Sequence, residues 1–392
     1  MSKIEEMIKN GNLELEDVDR VNLGEYIDIY TGVQLNKAEM QDKGFYPVIN
    51  GGIQPSGYVE KYNEPTDTIT ISQGGASAGY VNFLKTPFWA GAHCFVIRSK
   101  CKSLNNKYLY YFIKEKESYL QKSQHGAGIP SINRDKIKDL LIPLPPLSIQ
   151  REIVSVLDSF TTLIDKMKHE VELRKKQMEY YCDKLYGGDF EGMMGLANTP
   201  GNSVVQFSDL GSITRGKRFV RDDVRESGQP CIHYGDMYTY YGTKCDKTKT
   251  YIDKDFPKKM SYAQKGDIVI VGAGENDYDI GVGLVWMGDE PVAVHDACYI
   301  LKHKQNPMYI SYYLRSNIYH QQLKSYVSSG KICSFSKEGL GKIYIPIQSE
   351  EKQRSIVSTL DTFEQYVSKL ERLISLREKQ YAYYREKLLT FE

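Results

Sequence analysis

Apolar residues return in alternating steps of three and four along two long stretches of the chain. The stretches are residues 150–185 and 353–388, and they align at a constant offset of 203 residues with 17 of 36 positions identical. A three-four apolar seam is typical of coiled-coil helices, and a helix of this length would extend for roughly 54 Å. Prolines precede both stretches, and proline is poorly tolerated inside a helix. The pattern predicts two matched long helices that pack on each other.

An arginine interrupts the seam once in each helix, at Arg174 and at Arg377. Such a residue can fix the register of two helices, as polar seam residues do, or it can project to a partner protein. The sequence leaves both roles open. The residues expected between the helices or against a partner are Leu157, Phe160, Arg174, Tyr181, Leu360, Phe363, Arg377 and Tyr384.

The two globular segments, one before each long helix, are predicted to be α+β. In the first segment, short β-rich runs at residues 46–49, 68–72, 79–83 and 94–97 alternate with glycine turns, and one helix is expected at about 107–121. The second segment repeats this plan more loosely, so a globular domain followed by a long helix occurs twice. The expected parts are a lead at 1–20, a first globular domain at 21–143, a first helical rod at 144–186, a flexible glycine-rich linker at 187–204, a second globular domain at 205–346 and a second helical rod at 347–392.

Composition sets few limits on function. The chain has 51 basic and 50 acidic side chains, so its net charge indicates no particular partner. Its seven cysteines stand alone without a Cys-x-x-Cys pair, which favours a reducing cytoplasm over a disulfide framework or a zinc site. No apolar run approaches the length of a membrane span, so no membrane partner is expected.

Catalytic motifs are weak or missing. Residues 268–275 resemble the glycine-rich loop of methyltransferases and dinucleotide enzymes, but Asp277 stands at the third glycine position and no βαβ pattern follows. His93, His233 and His295 fit no nucleophile arrangement. We therefore expect no catalytic residues, no metal and no cofactor.

Glycine-rich turns carrying polar side chains are the stronger signal. Asn and Gln can contact adenine, and Arg can contact guanine, in the DNA major groove. Residues 215–221 add a turn with four cations suited to phosphates or guanines. The candidate DNA-binding residues are Asn50, Gln54, Ser56, Tyr58, Ser72, Gln73, Ser77 and His125 in the first domain, and Arg215, Lys217, Arg218, Arg221, His233, Tyr234 and Lys331 in the second.

The duplicated plan resembles the specificity subunit of type I restriction-modification enzymes. The resemblance covers about residues 21–391 and rests on the Leu-Gly-Glu opening at Leu23, the run at 50–58 and the proline-rich entry to the first helix at 142–154. The second entry lacks the double proline of the first.

This resemblance implies two target recognition domains and an antiparallel coiled coil with a pseudo-twofold repeat. It implies a non-catalytic subunit that binds a split, asymmetric site in double-stranded DNA, with half-sites about a helical turn apart. The partners would be two modification (methyltransferase) subunits and translocating restriction subunits. The alternatives are the specificity chain of a related enzyme that cuts on both sides of its site, a stand-alone methyltransferase, and a coiled-coil scaffold that does not bind DNA.

Overall fold

Two long helices occur where the apolar seam predicts them. In a computed structural model of the chain, the first long helix is Leu147–Leu185 and the second is Glu350–Thr390. The first begins directly after Pro146, in agreement with the prediction that prolines mark the helix start. Both seams avoid the surface, since Leu157 and Leu360 are fully buried. Complete burial of a leucine side chain stabilises a fold by about 1.5–3 kcal/mol.

The structure describes residues 18–125, 130–256, 259–275, 280–328, 330 and 332–391, so most of the predicted N-terminal lead lies outside the described residues. The chain divides into two compact units. Unit 1 comprises residues 1–168 and 372–392, and unit 2 comprises residues 169–371. Each unit therefore contains one globular segment and a part of both long helices.

Unit 1 is built on an antiparallel sheet with the strand order β2-β8-β5-β6 and a smaller sheet with the order β4-β3-β7. Strands β3 and β7 run parallel, and β1 pairs with β9. The strands are β1 Arg20–Asn22, β2 Ile27–Thr31, β3 Tyr46–Ile49, β4 Tyr58–Val59, β5 Thr68–Ser72, β6 Val81–Leu84, β7 Trp89–Ala90, β8 Cys94–Ser99 and β9 Leu141–Pro143. The short helices are Asn106–Glu115, Glu117–Lys122 and Arg134–Lys138.

Unit 2 repeats this arrangement with more strands. Its larger sheet has the order β11-β20-β16-β18-β13, and its smaller sheet has the order β14-β12-β19-β15, in which β12 and β19 run parallel. The strands are β10 Ser203–Gln206, β11 Gly211–Arg215, β12 Gln229–Ile232, β13 Lys244–Cys245, β14 Thr250–Ile252, β15 Tyr262–Ala263, β16 Ile268–Val271, β17 Ala273–Gly274, β18 Gly283–Trp286, β19 Val292–Val294, β20 Cys298–His303, β21 Cys333–Ser334 and β22 Tyr344–Ile347. The short helices are Phe190–Gly195, Phe207–Leu210, Tyr234–Thr239, Pro307–Tyr313, Asn317–Lys324 and Lys337–Gly341.

One local prediction was wrong. The single helix expected at about 107–121 is two helices, because Lys116 leaves the helical conformation at ψ 4° and separates them. The segment 187–204, which the sequence predicts to be a linker, contains the helix Phe190–Gly195 and the first residues of β10. Met193 in that helix is fully buried in the core of unit 2, and this burial orders the segment.

The long helices pair in antiparallel fashion within each unit. In unit 1, the ring of Phe160 lies 5.7 Å from that of Tyr384, and Lys168 forms an ion pair with Glu378. As residue numbers rise along the first helix, those of its partners fall along the second.

Unit 2 shows the same direction of pairing. Lys175 forms an ion pair with Glu371, and the ring of Tyr181 stacks at 5.6 Å on that of Phe363. The contacts in both units confirm the predicted antiparallel coiled coil.

The two seam arginines make equivalent contacts. Arg174 donates to Gln177 at 2.7 Å, and Arg377 donates to Gln380 at the same distance, so each guanidinium binds the residue three positions further along its own helix. Arg174 also binds Glu170 and lies 5.6 Å from the centre of the Tyr366 ring across the seam. Of the two roles left open by the sequence, this stacking favours setting the register.

A buried glutamine at the start of each long helix holds the helix to its domain. Gln150 accepts a hydrogen bond from the Asn105 amide at 2.8 Å and donates to the carbonyls of Ser103 and Pro145. Both Gln150 and Gln353 are almost completely buried, so each needs these partners.

Gln353 repeats the arrangement in unit 2. Its carbonyl accepts from the Asn306 amide at 3.3 Å, and its side-chain amide donates to the Gln348 carbonyl at 2.8 Å. Tyr309 donates to the carbonyl of Pro346, as Tyr108 of unit 1 does to that of Pro143.

We predict that Gln353→Ala lowers the free energy of unfolding of unit 2 by about 1–3 kcal/mol, because the Asn306 amide and the Gln348 carbonyl lose a buried partner. Urea unfolding of the full chain measures the effect. Gln365→Ala, which changes an exposed glutamine of the same helix, is the matched control and should change stability by less than about 0.5 kcal/mol. Equal effects of the two substitutions would show that Gln353 does not hold the helix to its domain.

Candidate nucleic-acid interface

The polar turns of unit 1 meet next to the parallel strands β3 and β7. Asn50 follows β3 directly, and its side-chain oxygen accepts the amide of His93 at 3.2 Å. The amide of Gln73 donates to the carbonyl of His93 at 2.9 Å. Asn50 and Gln73, which were predicted together, therefore lie on either side of His93, an exposed residue that was not among the predicted contacts.

Ser72 supports this group from inside. Its side chain is buried, and its hydroxyl donates to the carbonyl of Gly51 at 2.5 Å. Gly51 has a φ of +87°, and a Cβ there would lie 2.6 Å from the carbonyl oxygen of His93. Only glycine allows the loop to pass so close to the neighbouring strand. Ser72 thus positions the Asn50 loop, with its hydroxyl directed to the backbone and not to the surface.

The remaining predicted residues of unit 1 lie further out. Gln54 and Ser56 are exposed in the loop between β3 and β4, and Tyr58 is half-buried in β4. Ser77 is half-buried in the turn before β6. His125 is exposed and forms a β-bridge with Ser131, next to the residue whose amide binds the Gln73 carbonyl.

The basic turn of unit 2 is exposed and held by its backbone. Lys217 donates its amide to the carbonyl of Val294 at 2.9 Å, and the buried ring of Phe219 fixes the turn to the domain. The four cations, Arg215, Lys217, Arg218 and Arg221, are all exposed.

Arg215 differs from the other three cations. It donates to the carbonyl of Asp296 and lines a cleft of about 500 Å³ with Ser328 and Ser334. The remaining cations, Lys217 and Arg218 among them, form no ion pair with the residues that the structure describes. They can therefore bind an external anion. Lys331, another predicted DNA contact of this domain, lies outside the described residues.

Two histidines meet beside this turn. The rings of His233 and His295 lie 4.5 Å apart between centroids, Phe219 contacts His295 edge-on at 5.0 Å, and Tyr234 lies 4.6 Å from His233. Burial lowers the pKa of both histidines, and the neighbouring charge of His233 lowers that of His295 further.

His295 was not among the predicted contacts. It directly follows β19, as His233 directly follows β12. In the sequence, the indication for a role of His295 is that it occupies the position equivalent to Gly91 in the repeat. Because β12 and β19 run parallel, the residues that follow them meet at one edge of the sheet.

The methyltransferase-like glycine loop has a packing role. Gly272 lies between β16 and β17, and a Cβ there would lie 2.5 Å from the ring of Tyr299. Strand β17 then pairs with β21. Over the described ranges, no cluster of three or more metal-binding side chains occurs. Within these ranges, none of the helices has an apolar stretch that could span a membrane.

Comparison with known proteins identifies a family for this architecture. The sequence model of the type I restriction modification DNA specificity domain matches residues 15–173 and again residues 201–376. A putative type I restriction enzyme specificity subunit of Haemophilus influenzae is 28% identical over 367 residues, which cover 85% of each chain. The MjaVIII specificity subunit of Methanocaldococcus jannaschii is 24% identical over 393 residues, covering 93% of this chain and 88% of that one.

Solved structures share the fold. The S subunit of a type I restriction-modification system from Mycoplasma genitalium aligns with a TM-score of 0.60 at 20% identity, covering 96% of this chain and 97% of that one. A chain solved in a study of complex assembly in a type I system aligns with a TM-score of 0.57 at 16% identity, covering 96% and 98%. The two sequence matches extend over most of the chain, which belongs to the type I restriction-modification DNA specificity family and is a specificity subunit of such a system.

Proposed function

We propose that this specificity subunit has no catalytic activity and no cofactor of its own, and that it binds a split DNA site through its two domains, residues 21–143 and 205–346. The observation that carries the proposal is the repeat itself. The two domains share one sheet plan and one mode of attachment to the long helices, yet they differ in the side chains at equivalent edges.

The surfaces of the two domains support unequal half-sites. The candidate edge of unit 1 carries uncharged amides and hydroxyls, with Asn50 and Gln73 at its centre. The edge of unit 2 carries the basic turn and two histidines, His233 and His295. Amides suit the donor-acceptor edge of adenine, whereas cations suit guanine and phosphate. We therefore infer that the two halves of the target differ in sequence, and that the predicted residues other than the buried Ser72 contact the DNA.

The long helices provide a duplicated surface for partner proteins. Leu173 and Tyr180 are exposed on the part of the first helix that belongs to unit 2, and Leu376 and Tyr383 are their equivalents in unit 1. Each pair is seven residues apart, so both members lie on one face of their helix. Exposed apolar side chains that recur in this way are typical of protein-binding surfaces. We propose that each pair docks one modification subunit, giving two per chain, to which restriction subunits can be added.

A cytoplasmic location is part of the same proposal. It is supported by the expected DNA target and by cysteines that are all free, among them the partly exposed Cys101.

We predict that the triple substitution Lys217→Ala, Arg218→Ala and Arg221→Ala weakens DNA binding and flattens its dependence on salt. The slope of log K against log salt concentration is negative, and each lost phosphate contact makes it less steep by about 0.9. The measurement is fluorescence anisotropy of the chain with its modification subunit on target DNA at several salt concentrations.

The matched control removes the same number of charges from exposed positions of the second long helix in unit 2, namely Lys352, Arg354 and Lys369. This control should leave the slope unchanged. If the two triple variants lose affinity equally, the effect comes from net charge, and the basic turn does not contact DNA.

We also predict that Leu376→Glu combined with Tyr383→Glu reduces the bound modification subunits from two to one, because a charge replaces the apolar contact at one of two equivalent surfaces. Adding Leu173→Glu and Tyr180→Glu should leave none bound. Native mass spectrometry of the mixed subunits counts the copies.

Ser375→Glu with Ala382→Glu is the control for this prediction. These exposed residues lie on the same helix, each one position away from a docking residue and so turned by roughly 100°. Two bound copies in every variant would place the docking surface elsewhere.

A further inference from the structure

The ends of two parallel strands have the same backbone arrangement in both units but are followed by different side chains. Strands β3 and β7 of unit 1 run parallel with Ile49 opposite Ala90, and strands β12 and β19 of unit 2 run parallel with Ile232 opposite Val294. The next residue after each strand is therefore equivalent between the units. These residues are Asn50 and Gly91 in unit 1, and His233 and His295 in unit 2.

In unit 1 the pair is an asparagine over a glycine. A Cβ on Gly91 would lie 2.3 Å from the side-chain oxygen of Asn50, so the asparagine occupies the space that a side chain at position 91 would need. The oxygen of Asn50 accepts the His93 amide at 3.2 Å, which fixes the orientation of the side chain. A carboxamide held in this way offers a donor and, on the second lone pair of its oxygen, an acceptor.

In unit 2 both positions are histidine, and the backbone favours one tautomer of His233. The Gly235 amide donates to Nδ1 of His233 at 3.2 Å, and the Ala297 amide lies 3.1 Å from Nδ1 of His295. A ring nitrogen that accepts a hydrogen bond carries no proton, so a neutral His233 bears its proton on Nε2. The lowered pKa of each ring favours this neutral form. Asp296 lies 3.2 Å from Nδ1 of His295, but burial and His233 outweigh its influence on the pKa.

The two histidines have different tasks. His295 is the more enclosed, with its side chain 12% exposed and packed against the ring of Phe219. The Nε2–H of His233 has no hydrogen-bond partner among the residues that the structure describes, and its ring is half-exposed beside Arg221. His295 therefore packs against the ring of His233 and helps to position it, and His233 keeps a single ring donor for a ligand.

We propose that residues 50 and 233 are the equivalent base-reading positions of the two domains, and that His233 selects guanine where Asn50 selects adenine. The inference rests on the proposed function as a reader of two half-sites. In the major groove guanine presents only acceptors, N7 and O6, whereas adenine presents an acceptor next to a donor. A lone donor among the cations of the basic turn suits guanine, and a carboxamide suits adenine.

The test transfers the unit 1 pair into unit 2. The full chain with its modification subunit selects DNA from a library randomised across the target, with wild type, His233→Asn and the double variant His233→Asn with His295→Gly in parallel. We expect one guanine in one half-site to become adenine in the variants, with the ratio of guanine to adenine falling by about tenfold or more. The other half-site should stay the same.

Each of the remaining outcomes would contradict either the base-reading inference or the proposed function. If wild type selects a split target and the variants select the same one, His233 does not read a base, although the proposed function stands. Loss of all binding by variants that still assemble with the modification subunit would also overturn the inference, because the phosphate contacts of the basic turn remain. Failure of both variants to assemble would show that positions 50 and 233 are not interchangeable. If wild type selects no split target, the proposed function itself fails.

Discussion

Each recognition sheet shares its hydrophobic core with both long helices, and the rest of the structure depends on this shared core. In unit 1, Leu157 of the first helix and Leu388 of the second are buried in the same core as the domain. In unit 2, Leu360 of the second helix and Cys182 of the first are buried in the core of that domain. The apolar seam between the helices thus continues directly into the domains. A domain cannot turn on its helix without exposing apolar surface, so the seam also fixes how each domain presents its loops.

The contacts that anchor the long helices are the same in both copies of the repeat, whereas the residues at the candidate DNA-binding edges differ. The anchors agree in chemistry and in place, as the buried Gln150 and Gln353 show. Tyr111 and Tyr312 likewise donate to Asp158 and Asp361 of the helices in the same way. The residues that directly follow the parallel strands do not anchor a long helix, and their side chains differ between the two units. A specificity subunit needs this division, because a common frame must hold two different readers.

The sequence predicts the frame well because the frame rests on periodicity. The two long helices follow from the apolar seam and the proline positions, and several strands, such as Tyr46–Ile49, follow from β-rich runs bounded by glycine, whereas the antiparallel pairing is implied by the family resemblance. It predicts the loops less well, because their partners are distant in the chain. Ser72 is a polar residue that ends strand β5 before a glycine-rich turn, yet its hydroxyl binds the backbone inside the domain. The sequence does not predict His295 as a DNA contact, because only the parallel pairing of β12 and β19 brings it next to His233.

We infer that this chain alone sets the DNA target of its system through two unlike domains. The decisive measurement is methylome sequencing of a host that expresses the chain with its modification subunit, beside a host that expresses the modification subunit alone. We expect a split motif with two different halves that appears only when the chain is present. The same methylation pattern in both hosts would contradict it.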